Sequence, residues 1–291
     1  MRALIAPLRI ALLLLHLLIG LAIALAIFPW LRQRRRNPTI RVWSRVLLAI
    51  CGARLRVAGM APDPSLGRGA ADWSPWSPGK LLVANHISWL DVFAILAALP
   101  GRFIAKAEIG RWPLLGWLVT RVGTLYIERG RRHAVAAINH RVRDLLKAGE
   151  TIAVFPEGTT TDGTELLPFH SNLIAPAFDA ACDVCPVALR YTERGRPTRA
   201  PAFAGDTGLA RSLWNIVVAR DLAVEVAFLA PIGTTADRNR HHIAHAAQLA
   251  IAAHLGLPAA PPRRARPVNR PAPDTADSRP ETRTDPASAS R

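Results

Sequence analysis

Residues 10–30, IALLLLHLLIGLAIALAIFPW, constrain this chain more than any other stretch, because they carry no charge and only one histidine, His16. The run is about long enough to cross a hydrocarbon core of ~30 Å. It is too long for a signal peptide, and no small-residue cleavage site precedes the basic cluster after it. That cluster is Arg32, Arg34, Arg35 and Arg36, directly beyond Trp30. A tryptophan followed by arginines fits an interfacial belt with its cytoplasmic side. Over residues 40–51, Arg41 and Arg45 alternate with Val42, Trp43, Val46, Leu47, Leu48 and Ile50. At helical spacing this predicts an amphipathic helix in the headgroup region. The two segments fit either a spanning helix followed by a surface helix or a helical hairpin dipping into one leaflet.

Charge points the same way. The formal net charge is +16, carried almost wholly by arginine, since Lys80, Lys106 and Lys147 are the only lysines. Such a balance calls for an anionic partner, nucleic acid or an anionic membrane. No nucleic-acid-binding motif accompanies it, and the apolar N-terminus selects the membrane. Cys51, Cys182 and Cys185 suit a reducing cytoplasm. The last two form C-x-x-C, but no second Cys or His pair lies nearby, so they read as packing at the start of a buried strand.

From residue 80 onward, short apolar runs alternate with helical stretches. Strands are predicted at 81–84, 103–105, 125–127, 151–155, 185–191 and 222–228, and helices at 89–99, 114–122, 133–147, 173–181 and 238–255. That alternation predicts an α/β domain with a mainly parallel sheet flanked by helices. The organisation follows: a membrane anchor at 1–52, a linker or peripheral segment at 53–79, the α/β domain at 80–257, and a Pro/Ala/Arg-rich disordered tail at 258–291. The tail holds seven arginines against four acids and almost no large apolar side chains.

Within the domain, residues 83–91, VANHISWLD, read strand, turn, helix. His86 sits where the strand ends, and ligands of open α/β sheets gather at the carboxyl ends of strands. Inside one helix, His86 and Asp91 would lie about 140° apart. They can meet if His86 is in the turn and Asp91 in the helix's first turn. Ser88 as N-cap with Asp91 three residues later favours that geometry. The same spacing therefore supports a plain helix cap and a His-Asp dyad in which the carboxylate orients the imidazole. A second strand end follows at residues 154–163, VFPEGTTTDG, where Pro156 and Gly158 force a turn that displays Glu157.

Asn85-His86-x4-Asp91 and Phe155-Pro156-Glu157-Gly158-Thr159 together resemble the 1-acyl-glycerol-3-phosphate acyltransferase family of membrane glycerolipid enzymes. Residues 103–108, FIAKAE, resemble its F-x-A-K-x-E segment, residues 123–129, GTLYIER, its G-x-x-F-I-x-R block, and Pro186-Val187 its fourth block. The resemblance spans about residues 80–190, in the family's order. It implies transfer of an acyl group from acyl-CoA or acyl-carrier protein, as co-substrate, to a lysolipid hydroxyl, first of all that of 1-acyl-sn-glycerol-3-phosphate. It further implies His86 as general base held by Asp91, Lys106 and Arg129 at positions that meet phosphate, and Glu157, Gly158 and Thr159 in the substrate loop, with Glu157 ordering either that loop or the acceptor headgroup and loop amides around Gly158 as donors to the thioester oxygen. No metal and no cofactor are expected. The expected location is a bacterial-type cytoplasmic membrane, with the domain on the cytoplasmic side.

One position departs. The family's block commonly reads F-P-E-G-T-R, and Thr160 stands in the arginine's place. A hydroxyl cannot replace a guanidinium that binds phosphate bidentately. Residues 159–163 and Leu167-Pro168-Phe169 resemble the branch that acylates lyso-ornithine lipid, so that acceptor stays open. Other classes fit less well: no G-x-S-x-G elbow for a serine hydrolase is present, and a metal site at His86, Asp91 and Glu157 lacks a further nearby ligand. A catalytically inactive, membrane-bound lipid-binding scaffold is the remaining alternative. Gly205-Asp206, ahead of Leu213-Trp214, reads as a turn or as a late loop reaching the site.

Overall fold

Buried strands need apolar residues on both faces, and this chain supplies them as unbroken runs. The structure, a computed structural model, describes residues 2–59, 79–128, 132–235 and 239–261. The expected tail beyond residue 261, Arg129 and residues 60–78 lie outside the described residues.

The chain opens with α1 (Arg2–Ala26), a one-turn 3-10 helix at Phe28–Trp30, and α2 (Gln33–Cys51). Then come β1 (Ala53–Gly59), β2 (Lys80–Ala84), α3 (Leu90–Ala98), β3 (Arg102–Lys106), α4 (Ala107–Gly110), α5 (Leu115–Val122) and β4 (Leu125–Ile127). The second half runs α6 (Arg132–Lys147), β5 (Thr151–Val154), α7 (Ala175–Ala180), β6 (Val184–Glu193), β7 (Arg196–Pro197), α8 (Leu209–Val218), β8 (Leu222–Phe228) and α9 (Arg240–Leu255). The strands form one sheet in the order β1-β8-β6-β2-β5-β3-β4, with β7 on the far end of β6. Every pairing along that path is parallel except β6 with β8. The predicted mainly parallel α/β architecture is therefore the one observed.

Alternation along the strands divides the core in two. Leu82, Ala84, Val187, Leu189 and Val224 face a layer that includes α2, α3, α5 and α8. Leu81, Val83, Ile152 and Val184 face α6, α7 and α9. Cys182 and Cys185 are buried thiols in this packing, as expected of them. Burial pushes Cys182 up to about 11 and Cys185 further, which removes the thiolate that redox or metal chemistry needs.

Two expectations are corrected. Residues 53–59 are no peripheral segment: they form the edge strand β1, paired with β8 over its whole length. Gly52, left-handed at φ 76°, closes α2 and turns the chain straight into that strand. The second correction concerns the basic residues. Arg41 and Arg45 do not point to headgroups but donate to the carbonyls of Ala97 and Ala98 at the end of α3. Cations there satisfy carbonyls that the helix leaves unpaired. Likewise Arg34 donates to the Ala148 carbonyl and Arg36 to that of Arg121.

α1 and α2 form a helical hairpin laid against the domain. His16 stacks on Trp43 with centroids 4.4 Å apart. Gly20 is required beneath that indole, because a Cβ there would come within 2.7 Å of Trp43 Nε1. Near the start of α1, Arg9 donates to the Val217 carbonyl of α8 at 2.6 Å. The opposite face of α1 is bare, with Leu8, Leu14, Leu15, Leu18 and Leu25 exposed, and Trp30 beyond them is 86% exposed.

Candidate active site

β2 ends at Ala84, and the next residue locks the turn. Asn85 is buried, and its amide pairs with both backbone groups of Leu189, accepting from the N–H at 2.8 Å and donating to the carbonyl at 3.0 Å. The side chain thus continues the β2–β6 ladder one residue past the strand and fixes where His86 begins.

His86 and Asp91 meet. Nδ1 of His86 lies 2.9 Å from Asp91 Oδ2. The same oxygen accepts the amides of Ile87 at 2.7 Å and Ser88 at 2.8 Å. Ser88 Oγ accepts the Leu90 amide at 3.2 Å, so Ser88 caps α3 while the Asp91 carboxylate reaches back to the cap. Cap and dyad are one structure. Asp91 is fully buried, and its Oδ1 accepts from the Tyr191 hydroxyl at 2.7 Å. With a carboxylate as partner, Nδ1 carries the proton and Nε2 carries the lone pair. Phe155 stacks on the imidazole, with centroids 3.8 Å apart and planes 8° apart.

Glu157 follows β5, and its side chain points back under His86. Its Oε1 accepts the His86 amide at 2.7 Å and its Oε2 the Leu167 amide at 3.0 Å. Burial pushes its carboxyl up to about 7, against the opposing pull of those two amides. Glu157 therefore braces two backbone segments rather than facing the pocket. Gly158, at φ 77°, makes the turn, and its amide donates to the Phe155 carbonyl at 3.1 Å. That engagement removes the Gly158 amide itself as a donor to a substrate oxygen.

The pocket at this strand end is lined by His86, Lys106, Phe155, Gly158, Thr159, Thr160 and Phe203, among others. Lys106 closes β3 and is exposed there. Thr160 donates its hydroxyl to the Phe203 carbonyl, while Phe203 donates its amide to the Ile87 carbonyl at 2.8 Å. The late loop does reach the site, but through Phe203, whereas Gly205 and Asp206 are exposed. Tyr191 and Phe203 were not predicted. Tyr191's rarity, one of two tyrosines and set in an apolar run, was the available signal for it. A second, apolar cavity adjoins the first, sharing Val92 and Phe103, and continues to Phe28, Ile40 and Trp43 of the N-terminal hairpin. Among the described residues, no group of three or more His, Cys, Asp or Glu could hold a metal ion. Asp91 and Glu157 already use their oxygens on protein donors.

A family model described as Acyltransferase matches residues 70–190. The 1-acyl-sn-glycerol-3-phosphate acyltransferase of Neisseria gonorrhoeae is 42% identical over 164 residues, 56% of this chain and 64% of that protein. The chain thus spans just under two thirds of that relative. The lyso-ornithine lipid O-acyltransferase of Pseudomonas aeruginosa is 35% identical over 255 residues, 84% of this chain and 93% of that protein. The crystal structure of the 1-acyl-sn-glycerophosphate acyltransferase from Thermotoga maritima shares the fold, with TM-score 0.63, 17% identity, and coverage of 88% of this chain and 97% of that one. The 1-acyl-sn-glycerol-3-phosphate acyltransferase of Neisseria meningitidis is 40% identical over 208 residues, 71% of this chain and 76% of that protein, and that identity, with these blocks gathered at one strand end, shows that this chain belongs to the 1-acyl-sn-glycerol-3-phosphate acyltransferase family.

Proposed function

We propose that this enzyme transfers a fatty acyl group from acyl-CoA or acyl-carrier protein to the free hydroxyl of a membrane lysolipid, first of all 1-acyl-sn-glycerol-3-phosphate, giving phosphatidic acid. The observation that carries this reading is the His86–Asp91 contact at 2.9 Å on the wall of a pocket. His86 Nε2 takes the proton of the acceptor hydroxyl as that oxygen attacks the thioester carbonyl. The new C–O bond forms, the C–S bond breaks, and the imidazolium returns the proton to the leaving thiolate. Asp91 stabilises the imidazolium between the two transfers. A positioned base of this kind contributes roughly 10²–10⁴ in rate. The developing oxyanion falls to the Thr159 amide, which makes no hydrogen bond among the described residues and lies at the pocket. The adjoining apolar cavity receives an acyl chain.

One observation favours a second acceptor, lyso-ornithine lipid. Thr160 stands where a phosphate-binding arginine is usual, and its hydroxyl is already bound to the Phe203 carbonyl. Lys106 is then the cation at the pocket among the described residues. Offering purified enzyme both acceptors with one labelled acyl-CoA tests this directly. Faster acylation of lysophosphatidate supports the first reading, and preference for the phosphate-free acceptor supports the second.

The membrane arrangement follows from α1. Its contacts run from Arg9 to Ala24, about 22 Å at 1.5 Å per residue. That is most of a hydrocarbon thickness of ~30 Å. A helix held to one domain along that distance lies beside it rather than passing through a bilayer away from it. We infer that α1 rests in one leaflet by its bare leucine face, and propose the cytoplasmic side for the domain, the side that the basic cluster after Trp30 favours. Extraction by detergent but not by high salt is the expected behaviour.

A further inference from the structure

Tyr191 stands on β6, a hundred residues from Asp91 in sequence, and is 2% exposed. Its hydroxyl donates to Asp91 Oδ1, the oxygen that the helix cap leaves over. The other oxygen, Oδ2, takes His86 Nδ1 and the amides of Ile87 and Ser88. Asp91 is thus held from two sides, by its own turn and by a strand across the core. The distance between the two is fixed by the sheet. β2 and β6 pair in register up to Ala84 and Val187, and Asn85 extends the pairing to Leu189, two residues before Tyr191.

We propose that Tyr191 is a positioning residue for the acyl transfer, one that sets the charge on Asp91 and through it the basicity of His86. This rests on the assignment of His86 as general base. The physical link is short. A donor on Oδ1 draws negative charge away from Oδ2, so Oδ2 stabilises an imidazolium less. Without that donor the carboxylate binds the protonated ring more strongly. Burial beside Asp91 raises the Tyr191 phenol well above its usual 10.0, so it stays a donor across the working pH range. The other groups facing this cluster come from separate elements: Glu157 through the His86 amide, Lys106 across the pocket, and Ser88 and Cys51 beside Tyr191. Tyr191→Phe keeps the ring and removes the hydroxyl, with its bond to Asp91 and its contact with Ser88.

The test titrates the His86 imidazole by NMR in the full-length protein and follows the pH profile of kcat/KM. In Tyr191→Phe the imidazole midpoint should move up by about half a unit or more. The acid limb of the profile should follow it, with turnover on that limb down about threefold and KM little changed. Because Tyr126 and Tyr191 are the only tyrosines, 3-fluorotyrosine can be placed at 191 alone in a Tyr126→Phe background. That stronger donor should move the midpoint down. Opposite shifts from a weakened and a strengthened donor are not produced by packing alone. An unchanged midpoint in both proteins overturns the proposal, and if Tyr191→Phe fails to fold, the fluorotyrosine protein decides. The midpoint is read without turnover, so it is separate from the base assignment itself, which full activity in His86→Ala would overturn.

Discussion

The two halves of the pocket are built differently. On one side, His86 and Asp91 are held by hydrogen bonds to each other, from the turn between β2 and α3, from β6 and from the loop after β5, and Asp91 is fully buried. On the other side, Lys106 stands exposed at a strand end, and Thr160 spends its hydroxyl on the Phe203 carbonyl. The contrast separates chemistry from selection. A base must be held to within a fraction of an ångström, which demands a preorganised, water-excluded frame. Under the proposed function, headgroup recognition falls to a few exposed groups, whose exchange leaves the frame intact. On this account, changes in the gripped half alter kcat and stability together, and changes in the open half alter KM and acceptor choice.

Asp91→Asn should have the largest effect of the substitutions around the base. The amide must set an N–H against the Ile87 and Ser88 amides or against the Tyr191 hydroxyl, and it cannot stabilise an imidazolium. Turnover should fall by roughly 10²–10⁴, and denaturant titration should show about 1–3 kcal/mol lost from the buried network. Normal turnover would erase the distinction between the two halves.

Glu157→Gln comes next. The new amide can accept only one of the two backbone N–H groups that Glu157 now serves. A loss of about tenfold or more in kcat, with KM nearly unchanged, is expected. Its pH signature has a definite sign. The fold raises this carboxyl from 4.5 to about 7, favouring the protonated form. The group's contribution to stability therefore declines as pH rises from about 4.5 to about 7 and is flat above. Urea midpoints of wild type and Glu157→Gln across that window should differ in slope, the variant lacking this component.

In the open half the effects are smaller. Lys106→Ala should raise KM for an anionic acceptor by about threefold to tenfold, with kcat little changed. Thr160→Arg restores the cation common in the family. It should raise the ratio of lysophosphatidate to lyso-ornithine lipid acylation by about tenfold, without changing the pH profile. A ratio that stays put would mean that acceptor choice is set elsewhere in the pocket.

The gripped half was also the more legible in sequence, though only in part. Local spacing allowed Asp91 to meet His86 without choosing between a plain cap and a dyad, because a helix cap and a preceding turn are short-range structures. The strand-end position of Glu157 followed from Pro156 and Gly158 in the same way. What spacing could not reveal was the direction of its side chain: Glu157 turns inward to two amides instead of outward to the pocket. Tyr191 and Phe203 were hidden because their partners lie far along the chain and come together only through sheet order. β1 escaped notice for a different reason. Its sequence, ARLRVAG, sets arginines among small residues, and its burial is that of a strand exposed at the sheet's edge. An edge strand of this kind does not show the unbroken apolar run that marked β2 and β5. The arginines of α2 misled for a related reason, since periodicity shows which side they occupy but not that α3's carbonyls wait there.

The central claim is that His86 is the base for a lipid hydroxyl and that the N-terminal hairpin holds the enzyme on the membrane independently of it. Purified wild type and His86→Ala, each with vesicles containing lysolipid and one labelled acyl-CoA, test both parts at once. The account predicts that His86→Ala partitions to the vesicles as wild type does and loses acyl transfer by roughly 10²–10⁴. Equal transfer by the two proteins would contradict it.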